Sequence, residues 1–292
     1  MMSLGQFVVT IFKITGRFPL WLCRLLGRIV GFCLWLIPNR SRRITASNVA
    51  LCFPELSQQA QRKLVFSSLQ HTGMLAFEAA AIWHRPYSWL QQHITAINHK
   101  QVLDDAQAAG KGVIILLPHV GNWEVFSRYI PAICDGMGLY ESPRLVELEQ
   151  LIKKSREKTG ATMVPTTPRG VAALLKHIRK GGTTCILPDQ VPNKKDRGGV
   201  FAPFFGHPAY TMTLVTQLYK RTGCTVIGAS AKRVASGFEM KFYTMDDAIY
   251  SEDEVTSTSA VNLLVETCAR EMPEQYQWEY KRFKYASRAA KL

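Results

Sequence analysis

The chain has 292 residues, 47% of them hydrophobic and 20% charged, which excludes a disordered polymer and suffices for one large core or a core with an appendage. Its net charge of +14, from 36 Lys and Arg against 22 Asp and Glu, seeks an anionic partner: nucleic acid, phosphate-bearing lipid or an acidic carrier protein. No zinc-finger spacing or RNP-type aromatic motif accompanies the charge, which sets nucleic acid aside, and seven singly scattered cysteines without a C-x-x-C read as buried free thiols in a reducing compartment.

Residues 7–38 are strongly apolar yet carry Lys13, Arg17, Arg24 and Arg28. The longest uncharged run here, Ile29 to Asn39, is well short of the roughly 18 residues a spanning helix needs. Wound as a helix, the four cations fall within roughly 60° of one another. Phe12, Leu20, Leu22, Leu26 and Ile29 lie opposite, with Trp21 and Trp35 as interfacial anchors. A basic stripe facing an apolar one fits a helix lying in a headgroup layer, broken in two at Pro19. The rivals are a cleaved signal peptide, for which no small-residue cleavage site stands out, and an amphipathic helix packed on the protein's own core. Residues 1–39 are thus a membrane-associated segment and residues 40–292 one domain, entered through the basic hinge Asn39-Arg40-Ser41-Arg42-Arg43.

Leu56-Ser57-Gln58-Gln59 starts one long or two short helices that run to Ala81, and His93 to Ile97 reads as a short strand. Gly110-Lys111-Gly112 turns the chain into Val113-Ile-Ile-Leu-Leu117, a buried strand by its length and β-branched content. Pro118 ends it, His119 follows, and Gly121-Asn122 turns into a helix that begins near Trp123 and ends at Pro131. A histidine at a strand tip with Glu124 five residues on can form a base–orienter pair, the carboxylate holding one ring nitrogen and the other taking a proton from substrate. The alternative is a strand-end histidine satisfied by backbone. His99 and Asp104 share the spacing, but in a polar helix they point roughly 140° apart and read as solvated surface.

Further helices are expected over Glu147–Lys158, which carries Lys153, Lys154 and Arg156, and over Thr166–Lys180, with Arg169 in its first turn. Thr183 to Leu187 repeats the first strand's form: apolar run, proline, then the polar pair Asp189-Gln190. Two strands ending side by side at polar tips are how open α/β sheets build a site at their carboxyl edge. The aromatic stretch Phe201-Ala-Pro-Phe-Phe-Gly-His-Pro208 walls an apolar pocket or belongs to ordinary core. Thr211–Thr222 reads as helix, Cys224–Ala231 and Phe238–Thr244 as a hairpin turning near Ser236-Gly237, and Thr256–Glu271 as a helix. The sequence has no G-x-S-x-G, P-loop, dinucleotide fingerprint, H-E-x-x-H or metal-ligand spacing, and Ser155-x-x-Lys158 lacks any supporting motif. What remains is a histidine–carboxylate pair with no nucleophile of its own, hence a base that activates a substrate hydroxyl for direct transfer.

These pieces resemble, in order, the lipid A biosynthesis acyltransferases of the lysophospholipid-acyltransferase-like superfamily: Arg43-x4-Asn48 with Phe53-Pro54-Glu55, His119-Val-Gly-Asn-Trp-Glu124, Arg156 with Gly160, Asp189-Gln190, Phe201 to Pro208, and Pro273-Glu-Gln-Tyr-Gln-Trp278 with Arg282-Phe283. The resemblance implies an α/β fold with a mixed sheet flanked by helices. It implies transfer of an acyl chain, from acyl carrier protein or acyl-CoA, to a hydroxyl of a lipid A precursor at the cytoplasmic face of the inner membrane, with no cofactor. It makes His119 the general base and Glu124 its orienter. Asn122, Arg144, Arg156, Arg169, Asp189 and Gln190 would contact substrate, and Phe201, Phe204 and Phe205 would lie near the acyl groove. One departure concerns the acceptor: where many of these enzymes carry Tyr-Arg-Pro, this chain has Tyr140-Glu141-Ser142-Pro143, with Arg144 after it. The same chemistry acting on another glycolipid, a phospholipid or an aminolipid therefore stays open. A non-catalytic anionic-lipid-binding protein is the reading from another class, and it leaves the strand-tip polar pairs unexplained.

Overall fold

A computed structural model describes residues 3–140, 146–193 and 198–286. The chain opens with four helices, α1 (Leu4–Thr15), α2 (Leu20–Leu36), α3 (Arg40–Cys52) and α4 (Gln58–His84). It continues through α5 (Tyr87–His93), β1 (Ile94–Asn98), α6 (Lys100–Ala108), β2 (Val113–Leu116), α7 (Glu124–Ile133), β3 (Gly136–Tyr140), α8 (Val146–Glu157), β4 (Thr162–Pro165), α9 (Pro168–Arg179) and β5 (Thr183–Ile186). It closes with β6 (Gly199–Phe204), β7 (His207–Met212), α10 (Leu214–Thr222), β8 (Thr225–Val234), β9 (Gly237–Thr244) and α11 (Glu254–Glu271).

Seven strands form one mixed sheet in the order β1-β9-β8-β2-β5-β3-β4, in which β8 and β9 pair antiparallel and the other neighbours pair parallel. The central strand shows why the aliphatic run was decisive. Ile114 and Leu116 enter a core shared with α9, α10 and α11, while Val113 and Ile115 enter one shared with α6, α7 and the C-terminal half of α4. A strand buried on both faces needs apolar side chains in both registers, so it reads as a continuous run rather than an alternation.

Pro19 caps α2 and separates it from α1, as expected. The stretch 39–43 is no hinge: Asn39 caps α3 by accepting from the Arg42 N–H, and the three arginines lie in its first turn. Pro131 sits inside α7, whose last turn runs on to Ile133; lacking an N–H, it leaves one carbonyl of the preceding turn without its intrahelical donor, and the helix stops two residues later. Residues 199–212 form the hairpin β6–β7, so Thr211 is strand and α10 starts three residues later.

Helix α2 packs closely along α4. Gly27 meets Gly73 and Met74 backbone so closely that a Cβ at 27 would come within 2.4 Å of the Met74 Cα. The opposite face of α1 and α2 exposes Phe7, Ile11, Ile14, Trp21, Leu25, Ile29, Phe32 and Leu36, with Ile37 just beyond. Trp21 is 66% exposed. Lys13, Arg17 and Arg28 are exposed, but Arg24 is buried within the protein, so the expected four-cation stripe loses that member. Among the described residues no single helix is long and apolar enough to cross a membrane, and α2 meets α3 at a bend of 83°.

Candidate active site

Strands β2 and β5 pair in parallel with an offset of 70 residues, Val113 opposite Thr183. The Leu117 N–H continues the ladder to the Ile186 carbonyl at 2.8 Å, and the same offset then carries His119 to Asp189. The two strand-end prolines free both chains from the ladder just before these side chains. The His119 ring Nδ1 lies 2.7 Å from Asp189 Oδ1, and its backbone N–H donates to the same carboxylate at 3.1 and 3.3 Å. Asp189 is almost wholly buried. Burial alone would raise its pKa, but the charge of the His119 imidazole and the two His119 hydrogen bonds outweigh it and hold the carboxyl below its usual range. An ionised carboxylate only accepts, so Nδ1 carries the proton, and in the neutral imidazole Nε2 is then the acceptor. The phenol of Tyr276 is buried, and burial together with the neighbouring Asp189 charge pushes its pKa well up.

The turn after His119 is tied down on both sides. The His119 carbonyl accepts from the Gln277 N–H, Gly121 N–H donates to Gln275, and Asn122 N–H donates to Ala231. Gly121 has φ +61°, and a Cβ there would lie 2.0 Å from the Ala231 carbonyl oxygen, so only glycine fits. The Asn122 side-chain oxygen accepts from the Glu124 N–H at 3.2 Å, an Asx-type turn that satisfies one free N–H at the start of α7. Trp123 presents its ring edge-on to the His119 imidazole at 4.6 Å.

Glu124 does not orient His119. Its carboxylate accepts from the Trp83 indole at 2.8 Å and pairs with Arg156 at 2.6 Å. Burial opposes its ionisation, but the Arg156 charge and the hydrogen bonds from Trp83, Arg156 and Ser127 prevail and lower its pKa. The reason is geometric: residue 124 already belongs to α7, which turns away from the strand tip, whereas Asp189 is delivered beside His119 by strand register.

A cavity of about 410 Å³ opens beside the dyad; His119, Trp123, Arg156 and Gln190 line it together with Glu149, Lys153 and Thr166, and Leu139, Met163, Ile186 and Leu214 are among its apolar walls. A smaller cavity of about 80 Å³ continues behind Trp123, Leu139, Arg156 and Met163, between α7 and β3. A third, of about 220 Å³, lies against His119, Trp123, Asp189, Gln190, Gln277 and Tyr280.

His119, Glu124, Arg156, Asp189 and Gln190 thus gather in one place. Asn122 is fully buried and serves the turn rather than facing a cavity. Arg169 is exposed at the start of α9 and lines none of these cavities, and Arg144 lies outside the described residues. The aromatic segment does not wall the groove. Phe204 and Phe205 are buried against Phe53, Tyr276, Trp278 and Phe283, and Phe201 packs on Tyr210 across the hairpin. Phe204 faces the core in register with Ala202, Phe205 follows at the turn, Phe201 lies on the other face of the ribbon, and Met212 and Leu214 reach the cavity instead. Trp83, which holds the Glu124 carboxylate, and Tyr276, buried beside Asp189, had no individual signal: one sits in a long helix, the other in an aromatic terminal run.

The family model for the bacterial lipid A biosynthesis acyltransferases matches residues 2–285. The chain belongs to that family. It is an acyltransferase, and the implied α/β fold with a mixed sheet is the one observed. Among its relatives is a lipid A biosynthesis lauroyltransferase of Escherichia coli K12, 25% identical over 249 residues, which cover 84% of this chain and 80% of the relative. A lipid A biosynthesis palmitoleoyltransferase of the same organism is 27% identical over 264 residues, 89% of this chain and 84% of the relative. A lipid A biosynthesis acyltransferase of Haemophilus influenzae is 24% identical over 271 residues, 91% and 79% of the two chains.

Proposed function

We propose that the protein transfers a fatty acyl group from an acyl thioester, carried by acyl carrier protein, to a hydroxyl of a lipid A precursor at the cytoplasmic face of the inner membrane. The observation that carries this reading is the His119–Asp189 pair at the tip of two parallel strands, opening on a cavity that joins aliphatic walls to the charged side chains of Arg156, Lys153 and Glu149. His119 Nε2 takes the proton of the acceptor hydroxyl as its oxygen attacks the thioester carbonyl. A C–O bond forms, and the oxyanion of the tetrahedral intermediate meets the Arg156 guanidinium. Collapse breaks the C–S bond, and the imidazolium, steadied by Asp189, returns its proton to the departing thiolate. Glu124 fixes the guanidinium; the acyl chain lies in the cavity bounded by Leu139, Met163 and Leu214. No cofactor is required by these steps.

The exposed apolar face of α1 and α2, flanked by Lys13, Arg17 and Arg28, would rest in the headgroup layer, which brings the acceptor lipid to the protein. The net charge of +14 suits both a phosphorylated glycolipid and an acidic carrier. Purified protein given an acyl carrier thioester should acylate a lipid A precursor and leave a phospholipid acceptor unmodified. His119→Ala should cut that turnover by about 10² or more without unfolding the chain. Near-normal turnover in the variant would overturn the role of His119, and preference for the phospholipid would overturn the acceptor.

A further inference from the structure

One carboxylate that takes no part in the chemistry joins the exposed apolar helix to the catalytic turn. Glu78, in α4, is 0% exposed and carries three charged or polar partners. Its Oε1 accepts from Arg24 of α2 at 2.7 Å. Its Oε2 accepts from the Asn122 side chain at 2.9 Å and from Arg233 of β8 at 2.5 Å. Asn122 in turn accepts from the Glu124 N–H, and its own N–H is bonded to Ala231. The Arg24 guanidinium makes four bonds: beyond Glu78 it donates to the carbonyls of Val234, Ala235 and Gly237, where β8 turns into β9. Two cations and one anion are therefore sealed in one place, and the route from α2 to the turn between His119 and Glu124 passes through Glu78.

We infer that Arg24 and Glu78 are positioning residues, through which the seating of α2 on the protein body holds the 119–124 turn in its productive geometry. Burying such a triad is costly unless every partner is in place, and each partner fixes the position of the next. If α2 lifts, Glu78 keeps Arg233 but loses its opposing anchor, and the carboxylate is free to swing away from Asn122. The Glu124 N–H then loses its acceptor, and the backbone that aims both His119 and the Glu124–Arg156 pair slackens. Displacement of about 1 Å at a reacting group costs up to about 10²-fold in rate, so a small movement there is enough. The helix whose outer face would meet the membrane thus also holds the site in register. The rate consequence rests on the acyl-transfer reading; the mechanical coupling does not.

Arg24→Met is the informative variant, because Arg233 still neutralises Glu78, whereas Glu78→Gln would strand two buried arginines. In full-length protein, hydrogen exchange of the 119–124 amides should rise about tenfold or more in Arg24→Met, while β2 and β5 stay as protected as before. With an acyl carrier thioester and a lipid A precursor, kcat should fall about tenfold or more and both KM values should stay within about threefold. Asn122→Ala should reproduce the kinetic defect without loosening α2, and the double variant should be no worse than about twofold beyond the weaker single variant, since both break one route. Arg24→Lys keeps the charge but cannot serve four acceptors; it should give the same pattern in milder form, and it stands in if Arg24→Met does not fold. Faster exchange confined to α2 and residues 234–237, or kinetic defects that multiply in the double variant, would overturn the coupling. A wild-type protein that transfers no acyl group would overturn the functional reading, and the exchange experiment would still decide this one.

Discussion

Asp189→Asn separates the two carboxylates that lie near His119. The substitution keeps shape and volume but turns one acceptor into an NH2 donor. Asp189 accepts from the His119 ring and the His119 backbone N–H, so in either orientation the asparagine sets its NH2 against one of them. Facing the backbone, the NH2 costs a charge-assisted hydrogen bond, about 1.5–3 kcal/mol. Facing the ring, it donates to Nδ1 and moves the proton to Nε2, which then cannot act as a base. Either way the imidazolium formed during transfer loses its counter-charge. The corresponding aspartate-to-asparagine change in a serine protease triad costs about 10⁴ in kcat, and general base catalysis as a whole supplies about 10²–10⁴. Single-turnover transfer of a labelled acyl group from its carrier should therefore slow by about 10²–10⁴ in Asp189→Asn, with KM values within about threefold. Glu124→Gln keeps an acceptor for Trp83 and breaks the Arg156 pair; it should slow transfer while leaving the His119–Asp189 hydrogen bond in place. A rate for Asp189→Asn within a few-fold of wild type would refute the reasoning.

Other outcomes follow from the same geometry. Asp189 and Glu124 are both held below their ordinary values of 3.8 and 4.5, so the stability they contribute is present above that range and lost as pH falls below it. The stability gap between wild type and Asp189→Asn, measured by denaturant titration, should stay level from pH 7 to about 5 and shrink as pH falls below about 4. Glu279 behaves oppositely: burial raises its carboxyl above 4.5, only partly offset by its backbone N–H, Thr72 and Gln277. Its ionisation opposes folding as pH rises through the interval above 4.5, so melting temperatures of Glu279→Gln relative to wild type should climb between pH 4 and 7, and a flat difference would contradict that sign. Gly121→Ala should destabilise by about 2 kcal/mol or more, from a positive φ and a clash with Ala231 that only backbone movement relieves. Trp21→Glu with Phe32→Glu should abolish flotation with anionic vesicles while transfer in detergent solution survives; unchanged flotation would remove α1 and α2 as the lipid-facing surface.

What the sequence revealed follows physical lines. Strands β2 and β5 stood out because burial on both faces demands unbroken aliphatic runs, and their prolines marked where functional side chains begin. Strands β3 and β4 did not, since Gly-Met-Gly-Leu-Tyr and Thr-Met-Val-Pro lie toward one edge and carry no such run. The hairpin of residues 199–212 was hidden by Pro203 and Pro208, which a ribbon outside the main sheet tolerates. Spacing along the chain offered Glu124 as the partner of His119, while the true neighbour, Asp189, is 70 residues away and is reached only through strand register. Arg24 shows the same limit. In a helical projection it matches Arg17 and Arg28, and only Glu78, 54 residues on, turns it inward.

The most direct test of the account is the tautomer of one imidazole. Nitrogen-15 NMR of histidine-labelled protein, with the His119 signals assigned by difference against His119→Gln, should show a protonated, hydrogen-bonded Nδ1 and a bare Nε2 in the neutral imidazole, with that pattern lost in Asp189→Asn. A proton on Nε2 of the neutral imidazole in the wild type, or signals indifferent to Asp189, would contradict it.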